Sequence, residues 1–597
     1  MPQNILIIGA VSVGPKVAAR FKRLELASSV TLLDQENMIS YACNGIPYYL
    51  GGDLNAPDVL RQTNFQVLRD DKYYREVLDV SIRPNTRALK IDRQGKKVLV
   101  EDTGTGKLEW LSYDKLVIAT GKQPKGLSVP GSRLNGVFDV YSLRNAERVR
   151  EWIIRPGAEK AVIIGGGLLG VELVQSLSEL WEIEISLVEQ SAQLLPEYVG
   201  PGMAMVVRQH LEENGAAVYL GERVIRIEGR CSVERVVTDR RTLEADLVIL
   251  ATGVKPNSDL AKDAGLEISS GGAVVVNSRM QTSDPLIFAG GDCVEIPNLV
   301  TGKPGYFPWS SIAQRQGRVI GTNLSEESLE FKGAVGNYAV KFFDLTLSCA
   351  GLNVHAARRE GFDVETAMVA QIERAHFYHL KEFMYMELVV EKGTGRVLGI
   401  QGISDSGDGL VGRINTVAAL LEHGVTANEI GNLEIAYAPQ FSAAMDVLNT
   451  LGNCAENVLK GRGRFIDPVE FKSLWPEMGR NGWIILDTRF THEAEPFVKK
   501  YPDIWKHIST TELFARRDEV PTDKKLILLC KTGERSYDSH IVLNNMDIQE
   551  NRNLQGGLMY LMRCGLISPD LQEVIENKMV EKEKSVSEEQ MPRSTHG

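Results

Sequence analysis

The chain predicts an α/β protein of several domains, and three features of the sequence carry that prediction. Two separate segments run from an apolar strand through a glycine turn into a helix. A second strand pattern recurs at Tyr113–Gly121 and Ala245–Gly253. Near the end, a buried strand opens into a six-residue turn headed by a cysteine. With 597 residues the length suits three to four domains.

The first glycine segment is Ile5-Leu6-Ile7-Ile8 followed by Gly9-Ala10-Val11-Ser12-Val13-Gly14, and the strand Val30–Leu33 then delivers Asp34. Gly9 and Gly14 fit the outer glycines of a dinucleotide turn, whereas Val11 stands at the middle one, where a Cβ should crowd the phosphates. In the second segment, Ala161–Ile164 leads to Gly165-Gly166-Gly167-Leu168-Leu169-Gly170, and a following strand ends at Glu189. Here Gly165 permits the turn, Gly167 lets the phosphates approach and Gly170 lets helix and strand close up. The pyrophosphate would rest on helix N-terminal amides, and Glu189 would take ribose hydroxyls, favouring NADH over NADPH. Two such folds in one chain suggest FAD in the first and NADH in the second. The echoed strands end in Ala119-Thr120-Gly121 and Ala251-Thr252-Gly253, of which Ala119, Thr120, Gly121 and Gly253 are expected as further cofactor contacts, and Ala289-Gly290-Gly291-Asp292 puts a carboxylate where it can bond a flavin's ribityl chain.

The charge balance, 67 basic against 78 acidic residues and a net charge of -11, favours neither nucleic acid nor anionic membrane. No run reaches the ~20 apolar residues of a membrane span, and a cytoplasmic enzyme is expected. Seven cysteines lie scattered without metal-type spacing, so neither a metal site nor a disulfide scaffold is expected. Arg20, Lys22 and Arg23 form a local basic cluster on the first helix.

Together these motifs resemble the pyridine nucleotide-disulfide oxidoreductase superfamily. The resemblance implies two Rossmann-like dinucleotide-binding domains, the FAD domain in two parts (1–150 and 255–325) around an NADH domain (151–254). An α+β dimerisation domain (326–452) would follow, making the protein a homodimer. Around Ser40-Tyr41-Ala42-Cys43-Asn44-Gly45-Ile46-Pro47-Tyr48 the chain has one cysteine where classical members have two. It is similar there to the single-cysteine branch of coenzyme A-disulfide reductases, NADH-dependent persulfide reductases and NADH oxidases or peroxidases. A lone thiol beside a flavin can form a mixed disulfide, a persulfide or a sulfenic acid. The branch has Asn before Cys, whereas this chain has Cys43 before Asn44; on a helix that shift turns the side chain by ~100° and moves it ~1.5 Å. Either the sulfur leaves the flavin face, or a flexible entry restores its approach and the helix N-terminus lowers its pKa. The same resemblance makes Arg20 and Arg23 the contacts of coenzyme A phosphates, adds Ser40 and Asn44 to the substrate site, and makes Tyr378 and Tyr437 the tyrosines that a partner subunit brings to the thiol.

After a linker (453–464), residues 465–566 resemble an α/β rhodanese domain. Trp483–Arg489 and Lys525–Leu529 read as strands, Cys530-Lys531-Thr532-Gly533-Glu534-Arg535-Ser536 as the sulfur loop, and Asn553-Leu554-Gln555-Gly556-Gly557 as its downstream partner. The loop amides would stabilise an anionic sulfur on Cys530, with Lys531 and Arg535 adding positive charge for an anionic donor. Residues 567–597 are expected to form a charged, disordered tail. The expected activity is NADH-driven, FAD-dependent reduction of a coenzyme A disulfide, persulfide or polysulfide at Cys43, with sulfur transfer at Cys530 and a sulfur-carrier protein as a possible partner. Two alternatives stand beside it: an NADH oxidase or peroxidase using a sulfenic acid, and a sulfur carrier or docking protein with an inert Cys43.

Overall fold

The computed structural model describes residues 1–155, 158–325 and 327–567. They fall into two compact units, one comprising Met1–Leu194 and Asn214–Gly336, the other Leu195–Glu213 and the chain from Asn337 onward. The expected tail lies outside the described residues beyond Ile567.

The first unit holds two five-stranded parallel sheets of one plan. In one, Ile287–Ala289, Lys115–Ile118, Asn4–Ile8, Ser29–Leu33 and Ser81–Arg83 lie side by side in that order. In the other the order is Ala217–Leu220, Glu184–Glu189, Lys160–Ile164, Leu247–Leu250 and Val137–Phe138. Unbroken apolar runs such as Ile5–Ile8 suit strands covered on both faces, and all four of these side chains are buried. Each sheet is accompanied by a three-stranded antiparallel one, Thr86–Asp92, Lys97–Asp102 and Leu108–Ser112 in the first case and Val224–Glu228, Arg235–Thr238 and Thr242–Glu244 in the second. The two halves meet in a short antiparallel pair, Lys122–Pro124 with Val254–Pro256, directly after the echoed Ala-Thr-Gly turns. The strand Ile287–Ala289 returns the chain to the first sheet, and helix Ser310–Asn323 packs on helix Val13–Lys22 through Gly317 and Gly321, where a Cβ would lie within 3 Å of Lys16 and Arg20.

The second unit contains an antiparallel sheet ordered Asn337–Phe342, Leu345–Gly351, Val397–Ser404, Phe383–Glu391 and Val364–Ile372. Its first two strands form a hairpin that turns at Phe343 with φ +52°. Helix Pro201–Glu213 belongs to this unit and not to the expected NADH domain, because Gln401 Oε1 accepts from Gly200 N (2.8 Å) and Cys564 Sγ donates to Gly202 O. A parallel sheet follows, ordered Phe465–Ile466, Asn551–Leu554, Lys525–Leu529, Trp483–Asp487 and Trp505–His507, with an apolar core on each face. Most of the expected linker is helical: Val447–Leu459 leaves only a few residues of connection before Phe465.

Candidate active site

The two glycine turns have the same geometry. Gly9 (φ +108°) and Gly165 (φ +115°) sit so close to the carbonyl oxygens of Ala119 and Ala251 that a Cβ would lie 2.1 and 2.4 Å from them. Gly14 and Gly170 press on the carbonyls of Gly9 and Gly165, at 2.0 and 1.9 Å for an added Cβ. Gly167, by contrast, faces open space, as a phosphate-facing glycine must. The two acids brace the turns identically: Asp34 Oδ2 accepts from Ala10 N and Glu189 Oε2 from Gly166 N, each at 2.7 Å. Burial pushes the Asp34 carboxyl above its usual range, against the opposing bonds from Glu36 and Ala10 amides. Helices Val13–Lys22 and Leu168–Ser178 both begin without a side-chain cap, leaving N-terminal amides for an anion. These cradles fit the pyrophosphates of FAD and NADH. Val11 leaves the surrounding turn unchanged, so its cost falls on phosphate approach alone.

Helix Ser310–Asn323 gathers the rest of the first centre. Ser310 Oγ donates to Asn44 Oδ1 (2.9 Å), Gln314 Nε2 to Ser12 Oγ (3.1 Å), and Gln316 Oε1 accepts from Gly291 N (2.6 Å). Six residues of helix span about 9 Å, so the Cys43–Asn44 turn, the glycine turn and the Gly291–Asp292 turn all converge on two helical turns. Cys43 opens a 3-10 turn, Cys43–Gly45, ahead of helix Ile46–Gly51, and is half-buried, whereas Asn44 is exposed. Its thiol is pushed up to about 11, by burial first, with Lys122 lowering and Asp292 raising it. The expected lowering by a helix N-terminus is therefore corrected: desolvation outweighs it in this turn. Thr120 Oγ1 donates to Asn257 O (2.6 Å), and Gly121 and Gly253 take matching left-handed turns (φ +70° and +91°).

Sequence reasoning missed Lys122, whose ammonium pairs with Asp292 Oδ2 at 3.0 Å. The signal lay in the internal repeat. Ala119-Thr120-Gly121 is followed by Lys122, but Ala251-Thr252-Gly253 by Val254, so the backbone there has no need of a charge.

Two expected ligand contacts, Ser40 and Arg20, and one member of the basic cluster, Lys22, have partners of their own. Ser40 is 1% exposed, and its hydroxyl pairs with Tyr74 OH at 2.7 Å, so it braces the loop and offers a ligand no surface. Arg20 Nε donates to Thr322 Oγ1 (3.0 Å) and its guanidinium meets Glu327 (3.4 Å). Lys22 is buried, its ammonium held by Asp79 and the carbonyls of Leu26 and Ser28, which removes it from the basic cluster. Arg23 remains exposed.

In the second unit, Tyr378 and Tyr437 come from segments joined by Ala375 N donating to Pro439 O (3.4 Å). A buried pair locks both: Arg413 Nη2 meets Asp446 Oδ2 at 2.6 Å and donates to the carbonyl oxygens of Glu373 (3.2 Å) and Phe441 (3.5 Å). Tyr437, Phe377 and Phe441 are all exposed.

Cys530 ends its strand fully buried, and its sulfur accepts from Gly533 N (3.1 Å) and Ser536 Oγ (3.3 Å) at the head of helix Glu534–Asn545. Gly557 explains the downstream glycines: a Cβ there would lie 2.6–2.7 Å from the carbonyl oxygens of Cys530 and Lys531, which accept from Leu558 N and Met559 N. Of the two charges expected to greet an anionic donor, Arg535 is paired with a carboxylate and Lys531 is exposed. Lys531 Nζ lies over the Phe383 ring (5.6 Å), and Arg535 meets Glu493 at 3.0 Å. Burial works against the Arg535 charge, but Glu493 and the Cys530 sulfur outweigh it and raise its pKa.

Two glycine-cradled dinucleotide sites, a thiol beside one of them and a second cysteine in an amide-lined turn define a two-dinucleotide-fold oxidoreductase joined to a sulfur-binding domain. The chain belongs to the pyridine nucleotide-disulphide oxidoreductase family, whose model matches residues 3–310, with the family's dimerisation domain at 338–448. It is 32% identical over 451 residues, 76% of this chain and 98% of the other, to the NAD(P)H coenzyme A polysulfide/persulfide reductase of Pyrococcus horikoshii, and 29% identical over 455 residues (76% and 98%) to the NADH oxidase of Methanocaldococcus jannaschii. Two solved structures extend the likeness through the C-terminal domain. The NAD-dependent persulfide reductase from A. fulgidus superposes with a TM-score of 0.87 at 35% identity, covering 93% of this chain and 99% of that one. Reduced Bacillus anthracis CoADR-RHD gives 0.84 at 28% identity, covering 94% and 98%.

Proposed function

We propose that this protein is an FAD-containing, NADH-driven reductase of sulfur–sulfur bonds in coenzyme A persulfide, coenzyme A disulfide or polysulfide, carrying a rhodanese-type sulfurtransferase domain. The observation that carries this reading is the convergence of Cys43, Lys122 and Asp292 beside the first glycine cradle. Gly9, Gly14, Asp34, Ala119–Gly121, Gly291 and Asp292 would hold FAD, and Gly165, Gly167, Gly170, Glu189 and Gly253 would hold NADH. When bound, these groups supply a hydride and then an electron pair for sulfur.

The chain's own residues do the rest. Cys43 sulfur attacks a persulfide R–S–SH, forming a mixed disulfide with the RS half as HS⁻ leaves. Two electrons cleave that bond, returning the Cys43 thiolate and releasing RSH with one proton, for a balance of RSSH + NADH giving RSH, HS⁻ and NAD⁺. Lys122 stabilises the sulfur while it is anionic. Exposed Arg23 and partly engaged Arg20 would meet coenzyme A phosphates, Asn44 lines the entry, and in a homodimer Tyr378 and Tyr437 serve the partner's thiol. Cys530 would carry sulfane sulfur to or from Cys43, or to a sulfur-carrier protein.

Anaerobic stopped-flow reoxidation of the NADH-reduced enzyme tests the reading. Coenzyme A persulfide or disulfide should reoxidise it faster than oxygen or peroxide. Reoxidation by oxygen or peroxide alone would favour the oxidase reading, and none by any sulfur compound would favour the carrier.

A smaller effect tests Lys122. Lys122→Val copies the residue of the second repeat, so the fold should tolerate it. Alkylation of Cys43, followed by mass spectrometry of its peptide across pH, should shift its midpoint upward by at least ~0.5 unit, because a neutral side chain no longer favours the thiolate.

A further inference from the structure

The Cys530 loop holds its sulfur as other anion-binding turns do, yet its surroundings supply little net positive charge. Arg535 Nη1 and Nη2 meet Glu493 Oε2 and Oε1 at 3.0 and 3.4 Å, and both side chains are about three-quarters buried. Glu493 is fixed independently, since its Oε2 also accepts from Phe490 N at 3.1 Å. Arg489, next along the chain, is tied to buried Asp487 at 2.6 Å, and Lys531 lies over the Phe383 ring. Glu534 adds a second carboxylate near the loop, this one exposed. Over the Arg535 guanidinium lies the ring of Phe490, at 5.2 Å, itself half-exposed and stacked on His492. The sulfur is thus approached past a neutralised ion pair and an aromatic wall.

We propose that Glu493 is a specificity-determining residue of this site: by neutralising Arg535 it turns Cys530 away from dianionic inorganic donors such as thiosulfate and toward organic persulfides, whose carbon chain Phe490 can cover. The proposal rests on the sulfurtransferase reading of Cys530. In the favoured transfer the Cys530 thiolate attacks the outer sulfur of R–S–SH. The new Sγ–S bond forms as the RS–S bond breaks, and RS⁻ leaves with the donor's proton as RSH, so no external oxidant or reductant is consumed. Thiosulfate would instead release sulfite, and a paired guanidinium gives two departing negative charges little compensation. With an organic persulfide the leaving group is a neutral thiol, which makes no such demand.

The experiment uses the full-length holoenzyme and measures sulfur transfer to cyanide from thiosulfate and from glutathione persulfide. Glu493→Gln keeps an oxygen for the Phe490 amide while removing the charge. It should raise kcat/KM for thiosulfate at least ~10-fold and move the value for the persulfide by no more than ~3-fold, with the thiosulfate gain fading as salt is added. Glu493→Ala should shift the ratio of the two donors in the same direction. That ratio does not depend on how much of a variant folds, so an unchanged ratio in both variants overturns the proposal. Cys530→Ser separates the two levels of inference: it should abolish transfer from both donors, and persistence of transfer would sink the sulfurtransferase reading itself.

Discussion

Replacing Cys43 with serine is expected to lower NADH-dependent reduction of coenzyme A persulfide by at least ~1000-fold, because a hydroxyl cannot take part in the exchange of sulfur–sulfur bonds. Flavin content and reduction of the flavin by NADH should be preserved, since neither glycine cradle contains this residue. Single-turnover spectroscopy separates the two half-reactions: the first remains, and reoxidation by the sulfur substrate stops. Cys43→Ser with wild-type persulfide turnover would remove this thiol from the chemistry. Because burial pushes the resting thiol to about 11, reoxidation of the wild type should accelerate with pH from 7 upward, as more thiolate forms, until another step limits it.

Asp446→Ala should destabilise the second unit by about 3–5 kcal/mol, the usual consequence of leaving a buried charge uncompensated. Asp446 is 1% exposed, and it binds Arg413 (2.6 Å), Ser442 Oγ (2.7 Å) and Leu448 N (3.0 Å) while capping helix Val447–Leu459. Urea unfolding followed by tryptophan fluorescence would read the loss. Burial alone would raise this carboxyl, but Arg413 and the other donors outweigh it, so its folded pKa lies below its ordinary value. Its contribution is therefore present in full above the unfolded carboxylate range near 3.9 and disappears as pH falls through the lower folded value. The variant should show a shallower acid limb below about pH 4. An unchanged acid limb and unchanged urea midpoint would deny the pair its role in holding the Tyr378 and Tyr437 segments.

Local features were the legible ones. Apolar runs bounded by glycine marked Asn4–Ile8 and Lys160–Ile164 to within a residue, because a strand covered on both faces must be apolar throughout. The glycines were legible for a related reason: the backbone forbids a Cβ at Gly9 and Gly170 whatever surrounds them. What stayed hidden depends on partners distant in sequence. Lys22 reads as one of three surface cations until Asp79 and two carbonyls claim it, and Ser40 reads as a substrate contact until Tyr74 takes its hydroxyl. The Arg535–Glu493 pair, 42 residues apart, offsets a positive charge that the loop sequence alone offers to an anion. Helix Pro201–Glu213 is the largest displacement from expectation. The expected NADH domain included it by position alone, and Gln401 and Cys564, which tie it to the second unit, lie far along the chain.

Helix Gly557–Arg563, which follows the last strand of the C-terminal sheet, is fastened to the antiparallel sheet of its unit and to the residue just past it. Tyr560 stacks on Tyr385 with centroids 5.5 Å apart, Arg563 reaches Asp405 at 2.5 Å, and both tyrosines are 2% exposed. Cutting the chain near residue 464 would therefore not yield a trimmed enzyme with its remaining surface unchanged. It would bare an aromatic face and strand Asp405 without its cation. Activity lost on such truncation would report a damaged neighbour as readily as a missing sulfur donor, so point changes at Cys530 are the cleaner way to ask what the appended domain contributes.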